Sequence, residues 1–154
     1  TVIFDQSKKE DALVIGTSNK SELLVGYSTW YGDMACALMP LGDLYKTQVR
    51  SLARHIGIPE SIVAKPPSAD LWAGQTDEKE LGISYELLDQ ILYLLIDLRC
   101  PIAEIVTKGF DEGLVKRVEQ KIIASQFKRV LPPIAKLSLR TVGTDFLYPR
   151  DWQR

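Results

Sequence analysis

Ala12-Leu13-Val14-Ile15-Gly16-Thr17 is a short unbroken apolar run that ends in turn residues. Such a run predicts a parallel strand buried on both faces. A strand of this kind needs several neighbours and a layer of helices on each side. The sequence offers one other short candidate, Ile62-Val63-Ala64, cut off by Pro66-Pro67. Two strands cannot make a sheet covered on both faces. The expected class is therefore α/β but mostly helical, with the rest of the sheet supplied from upstream or by another chain.

Helix signals fill most of the remainder. Ser18-Asn19 can cap a helix that begins near Lys20. Pro40-Leu41-Gly42-Asp43 reads as a turn followed by an N-cap. Val49, Leu52, Ala53 and Ile56 then form an apolar stripe of helical period, stopped by Gly57 and Pro59. Ser68 to Gly82 has few apolar anchors and reads as a mobile loop. Tyr85 to Leu98 predicts a helix apolar on most sides, buried in a core or between subunits. Pro101 opens a short helix ending at Gly109. Asp111 caps another, with Val115, Val118 and Ile122 on one face and Pro132-Pro133 as its stop. The stretch to Arg154 has little periodicity and is expected to wrap over the surface.

Composition excludes several classes. With 154 residues the chain has the size of one domain. Lys+Arg is 19 and Asp+Glu is 20, for a net charge of −1. That balance gives no reason to expect a nucleic-acid binder, although bases outnumber acids from Thr107 to Arg154. Cys36 and Cys100 suit a reducing compartment, here the cytoplasm. A single His and the lack of a CxxC pair argue against a zinc site. No apolar run approaches the roughly 18 residues of a membrane helix, and no secretory leader is recognisable. The first residue is Thr rather than Met, which fits a fragment or a processed product.

A strand, then Gly16-Thr17-Ser18-Asn19-Lys20-Ser21-Glu22, then a helix is an arrangement suited to anions, because free N–H groups at a helix start point toward the ligand. On geometry alone an ordinary strand-to-helix turn is the favoured explanation. Lys20 and Lys46 both fall in the first turn of expected helices, where the helix dipole disfavours a cation. A bound polyphosphate would reverse that sign, and Glu22 is placed to hold Mg²⁺ on it. Taken singly, each of these residues is better explained as a solvated surface charge, and the case rests on the two lysines and the carboxylate together. Asp33, in Tyr31-Gly32-Asp33, is either a turn-stabilising Asx residue or a functional carboxylate. Gln75-Thr76-Asp77-Glu78 caps a helical turn or belongs to a lid. Trp30, Trp72 and Trp152 read as packing residues, and His55 as a helix-end residue.

Four blocks in order carry more than spacing does. They are Gly16-Thr17-Ser18-Asn19-Lys20-Ser21-Glu22 with Gly26-Tyr27-Ser28-Thr29-Trp30-Tyr31-Gly32-Asp33; then Pro40-Leu41-Gly42-Asp43-Leu44-Tyr45-Lys46-Thr47; then Lys65-Pro66-Pro67-Ser68-Ala69-Asp70-Leu71; then Gly74-Gln75-Thr76-Asp77-Glu78 with Leu81-Gly82 and Tyr85. A weaker echo follows at Phe127-Lys128-Arg129 and Pro132. This series resembles NAD synthetase, of the ammonia-dependent type or as the synthetase domain of a glutamine-dependent enzyme. The resemblance implies an adenine-nucleotide α-hydrolase-like, Rossmann-like parallel-sheet domain. It implies ATP-dependent amidation of deamido-NAD to NAD through an acyl-adenylate, with ATP, deamido-NAD and ammonia as substrates, Mg²⁺ as the metal, and a homodimer as the assembly. Neither a membrane nor a nucleic acid is implied as a partner.

Carried across by position, the resemblance makes Thr17, Lys46 and Ser68 contacts of ATP, Glu22 a Mg²⁺ ligand and Lys128 a contact of deamido-NAD. It makes Lys46 and Asp33 the catalytic pair, Asp33 handling ammonia, and Lys65 to Gly82 the mobile active-site loop. Trp30, Ala37 and Phe127 depart from it, standing where many members have Lys, Asp and His. The family's pyrophosphatase loop, Ser-Gly-Gly-x-Asp-Ser, does not occur in the chain. Residues 1–154 are thus expected to be the C-terminal portion of a single synthetase domain, inactive alone. The alternative is a non-catalytic dimerisation fragment of the same family. An RNA-binding module using the basic tail is disfavoured by the near-zero total charge.

Overall fold

The computed structural model describes residues 1–146, and Trp152 lies outside them. In chain order the helices are α1 (Val2–Lys9), α2 (Lys20–Val25), α3 (Lys46–His55), α4 (Glu60–Val63), α5 (Asp77–Leu81), α6 (Tyr85–Leu92), α7 (Ile102–Thr107) and α8 (Glu112–Ala124). A π-helical turn, Tyr93–Asp97, continues α6, and a 3₁₀ turn, Gln126–Arg129, follows α8. No helix among the described residues is long and apolar enough to cross a membrane.

The expected strands are not formed as such. Around Ala12–Thr17 there is a single parallel bridge, Ile15 to Leu38, with no ladder. The Gly16 N–H donates to Leu38 O and the Ala37 N–H to Val14 O. Leu13 is 74% exposed and Ile15 52% exposed, while Val14 and Gly16 between and after them are buried, so the described residues cover only one face of the segment. A strand needs partners for its backbone, and here it has one neighbour for two residues. The second candidate is corrected outright: Ile62 and Val63 belong to α4. Pro59 leads into that turn, and the Val63 and Ala64 N–H groups close helical bonds to Pro59 O and Glu60 O. The β-branched pair was read as strand, but local hydrogen bonding set the outcome. α1, which the apolar pattern did not announce, buries none of its residues.

The long apolar helix behaves as a core element. Tyr85, Leu88, Ile91 and Leu92 on α6 are fully buried against Ile105 of α7 and Val115 and Val118 of α8, with Val25 of α2 beside them. α6 packs against α2, α3 and α8, so it is the post on which the other helices are set. Its start is capped by Ser84, whose hydroxyl accepts from the Leu87 N–H. Asp111 caps α8 in the same way, as its spacing predicts. α8 stops at Ala124, well before Pro132-Pro133, because the Ser125 hydroxyl turns to Leu24 O and Ile122 O. Gly26, at φ +70° after α2, lies so close to Ser125 that a Cβ would fall 2.2 Å from the serine Cβ. Only glycine permits that approach. Leu131 to Arg140 is exposed throughout, as expected for the tail.

Candidate functional site

Asn19 and Glu22 build the start of α2 reciprocally. The Glu22 N–H donates to Asn19 Oδ1 at 3.0 Å, and the Asn19 N–H donates to Glu22 Oε2 at 3.2 Å. This capping box fixes one carboxylate oxygen and leaves Oε1 directed away from the helix. Lys46, the first residue of α3, donates to that oxygen at 2.8 Å. Its ammonium also lies 5.3 Å from the centre of the Tyr85 ring. The dipole cost of a cation at this helix start is thereby offset by Glu22 and the ring face.

Glu22 and Lys46 open onto a cavity of about 630 Å³. Asp33 and Thr29 form one side of it, and Lys65, Pro66, Pro67 and Ser68 another. Asp33 is held by its own turn: its Oδ1 accepts from the Thr29 N–H at 2.6 Å and its Oδ2 from the Ser18 hydroxyl at 3.3 Å. Asp33 thus braces its turn, though by accepting from a residue four positions earlier and not as an Asx turn two positions on, and it still lines the cavity. The Ser68 hydroxyl accepts from the Asp70 N–H. Lys65 pairs with Asp70 at 3.0 Å, and this partner holds the Asp70 carboxyl below its ordinary range.

Two further residues of this wall stand outside those assigned by the resemblance. Arg50 lines the cavity one turn beyond Lys46, with its guanidinium 2.7 Å from Glu86. The i, i+4 spacing from Lys46 is the signal that would have found it. Asp77 is 4% exposed and also lines the cavity. Its Oδ2 accepts from the Tyr85 hydroxyl at 3.1 Å, and its buried Oδ1 has no hydrogen-bond partner among the described residues. Burial, reinforced by the charge of Glu22, pushes the Tyr85 phenol far up, so it remains a donor.

Glu22, Asp33, Lys46 and Ser68 therefore share one cavity, while Thr17 and Lys128 stand apart from it. Thr17 is exposed just before α2. Lys128 lines a separate cavity of about 420 Å³ with Trp30 and Met34. Its ammonium donates to Gly26 O and Ser28 O, each at 2.7 Å, and so closes the C-terminal end of α2. Lys20 is engaged elsewhere too, 2.7 Å from Asp97 and 3.5 Å from Asp43. The two helix-start lysines are not a pair.

Against known proteins, residues 1–132 match the family described as NAD synthase. The chain belongs to the NAD synthase family. It is 55% identical over 152 residues to an NH(3)-dependent NAD(+) synthetase of Trichlorobacter lovleyi, covering 99% of this chain and 56% of that protein. It is 53% identical over 151 residues to the enzyme of the same name from Chlorobaculum tepidum, covering 98% and 54%. Among solved structures, NMN synthetase from Francisella tularensis aligns with a TM-score of 0.71 at 33% identity, over 85% of this chain and 50% of that one. An NH3-dependent NAD synthetase from Campylobacter jejuni aligns at 0.68 and 31%, over 88% and 50%. The chain thus spans about half the length of the NAD synthetases it matches. Trp30 and Phe127, two of the three positions expected to depart from the resemblance, meet edge to face at 6.1 Å, and Trp30 stacks on Tyr31 at 5.3 Å.

Proposed function

We propose that residues 1–154 form the C-terminal portion of a single NAD synthetase domain, and that the complete enzyme amidates deamido-NAD to NAD at the expense of ATP. What supports this reading is one observation: Glu22, Asp33, Lys46 and Ser68, chosen on family resemblance, line the same cavity as the cations Arg50 and Lys65. In the proposed reaction the nicotinate carboxylate attacks the α-phosphorus of ATP, and the bond to the β-phosphate oxygen breaks to release pyrophosphate. Ammonia then attacks the acyl carbon, AMP departs with the electron pair of the C–O bond, and the nitrogen loses a proton. Lys46 is the residue that faces the departing pyrophosphate, with Arg50 and Lys65 raising the positive charge around it. Asp33, held in one orientation by Thr29 and Ser18, receives the ammonia and its proton. The Lys65 to Gly82 stretch covers the adenylate and keeps water from it.

Glu22 suits Mg²⁺ as a single carboxylate beside a phosphate site, the manner in which this ion is commonly held with nucleotides. Among the described residues no group of three acidic, His or Cys side chains could hold a metal by itself. The ion would therefore enter with the triphosphate, whose charge it neutralises. Thr17 and Lys128 belong to the proposed contacts of ATP and deamido-NAD once the remainder of the domain is in place. A homodimer and a cytoplasmic setting complete the proposal, the latter in keeping with free thiols at Cys36 and Cys100.

The test is an assay of the full-length gene product with ATP, Mg²⁺, deamido-NAD and ammonia. NAD and pyrophosphate should appear in equal amounts. Absence of both rejects the reading. Purified residues 1–154 should show no adenylation, and measurable pyrophosphate release by this piece alone would overturn the claim that it is incomplete.

A further inference from the structure

No side chain at the N-cap position of α3 accepts from its first turn, although Gln48 Oε1, within the helix, accepts from the Tyr45 N–H at 2.9 Å. Tyr45 stands at the N-cap position, and its side chain reaches Asp97 instead of the helix. The first N–H groups of a helix need acceptors, and the start of α3 is half-buried, so protein groups supply them. Here the acceptors come from two other helices. The Lys46 N–H donates to the Ser21 hydroxyl of α2 at 2.9 Å. The Thr47 N–H donates to Asp89 Oδ2 of α6 at 2.8 Å. The Ser21 hydroxyl in turn donates to Asp89 Oδ1 at 2.5 Å. Ser21 is 0% exposed and Asp89 is 5% exposed. Within this relay each donor and acceptor is matched, and a carboxylate sits where the helix dipole favours one.

We propose that Ser21 and Asp89 are positioning residues for Lys46: together they cap α3 from outside and fix the angle at which the lysine enters the cavity. Lys46 is the first residue of the helix, so any loosening of this turn moves it directly. Asp89 lies on α6, the central post, which ties the lysine to the most deeply buried helix among the described residues. Glu22 lies on α2 next to Ser21, so the relay sets both members of the Lys46–Glu22 pair. The inference rests on the phosphate role proposed for Lys46 above.

The test is a double-mutant cycle in the full-length gene product, reading kcat and the KM of ATP and of deamido-NAD for Ser21→Ala, Asp89→Asn, Lys46→Ala and the combinations. Ser21→Ala should lower kcat/KM for ATP about tenfold to a hundredfold, as a small misplacement of a reacting group does. The KM of deamido-NAD should hold. The same change should cost little once Lys46 is already Ala, because nothing remains to be positioned. Asp89→Asn keeps the shape and one acceptor, so it should show the same pattern more weakly. Additive losses beside a costly Lys46→Ala overturn the positioning role alone. A silent Lys46→Ala overturns the phosphate role, and this inference with it. Should Ser21→Ala not fold, Asp89→Asn decides by the same cycle; if neither folds, the relay is a folding element and the proposal is rejected.

Discussion

The starts of α2 and α3 carry the same sequence signature, a lysine at the first helical position, yet they are built for different ends. At α2, Lys20 is clamped by Asp97 and Asp43 and lies over the Tyr45 ring at 4.8 Å. The Tyr45 hydroxyl donates to the same Asp97 at 2.5 Å. That cluster joins the beginning of α2 to the far end of α6 and lines no part of the larger cavity. At α3, Lys46 meets one carboxylate and faces the cavity with Arg50 one turn behind it. Lys20, with two carboxylates, is a fastener, whereas under the proposed function Lys46, with one carboxylate and the cavity ahead of it, is a ligand group. The difference lies in Asp97, the last residue of the π-helical turn Tyr93–Asp97, which reaches Lys20 at 2.7 Å and has no counterpart at Lys46.

The largest effect should fall on both starts alike. Leu88 is fully buried on α6, beneath both helices. Leu88→Ala should destabilise the fold by about 2–5 kcal/mol, read as a lower urea midpoint. A loss under about 1 kcal/mol would mean that α6 is not their shared support. Next comes Lys46→Ala, which should lower kcat/KM for ATP by about 10²–10³-fold in the full-length enzyme with little change in urea midpoint. Lys20→Ala should do the reverse. Equal kinetic losses from the two would erase the distinction between the starts.

Much of this is legible in the sequence, and each part that is not has a particular physical cause. Asn19, Ser84 and Asp111 announce their helices because a capping side chain and its N–H lie within three residues. The α6 core and the α8 stripe follow from apolar spacing alone. Ile62-Val63 misled because two β-branched residues weigh toward strand, while the turn after Pro59 is decided by backbone bonding. The Ala12–Thr17 run is still extended, but extension becomes a strand only when a neighbour accepts its hydrogen bonds. At the site, the family pattern named Glu22, Asp33, Lys46 and Ser68, which the fold gathers on one cavity. Asp77, Ser21 and Asp89 stayed hidden because their meaning lies in contacts between distant segments; Ser21 and Asp89 are joined across 68 positions.

Arg50 sharpens the comparison at a smaller scale. It shares the α3 face with Lys46 but is already paired with Glu86 at 2.7 Å. Arg50→Ala should raise the KM of ATP about tenfold, the order expected for losing one charge-assisted contact to phosphate. An unchanged KM would confine the phosphate-facing role of α3 to its first residue.

The smallest effect belongs to the fastener and is read by pH. The hydrogen bond from Lys20, then that from Tyr45, holds the Asp97 carboxyl below its ordinary value of 3.8. Asp97 in turn holds the Lys20 ammonium above 10.5. A carboxyl depressed on folding contributes stability above its unfolded value and loses it as pH falls through the folded one. A raised lysine contributes below its unfolded value and loses it as pH rises through the folded one. The pair therefore acts in full between about pH 4 and pH 10.5 and fades outside that window on either side. Asp97→Asn, which keeps an acceptor for Tyr45, should cost about 1 kcal/mol or less near pH 7, since the ions are part exposed and screened by salt. Urea titrations at pH 7 and about pH 2 should show the gap between wild type and variant closing on acidification. The KM of ATP should stay where it was, because the fastener lies outside the cavity. A rise in that KM matching the Arg50→Ala value would show that the two helix starts move as one, and the contrast between them would have to be given up.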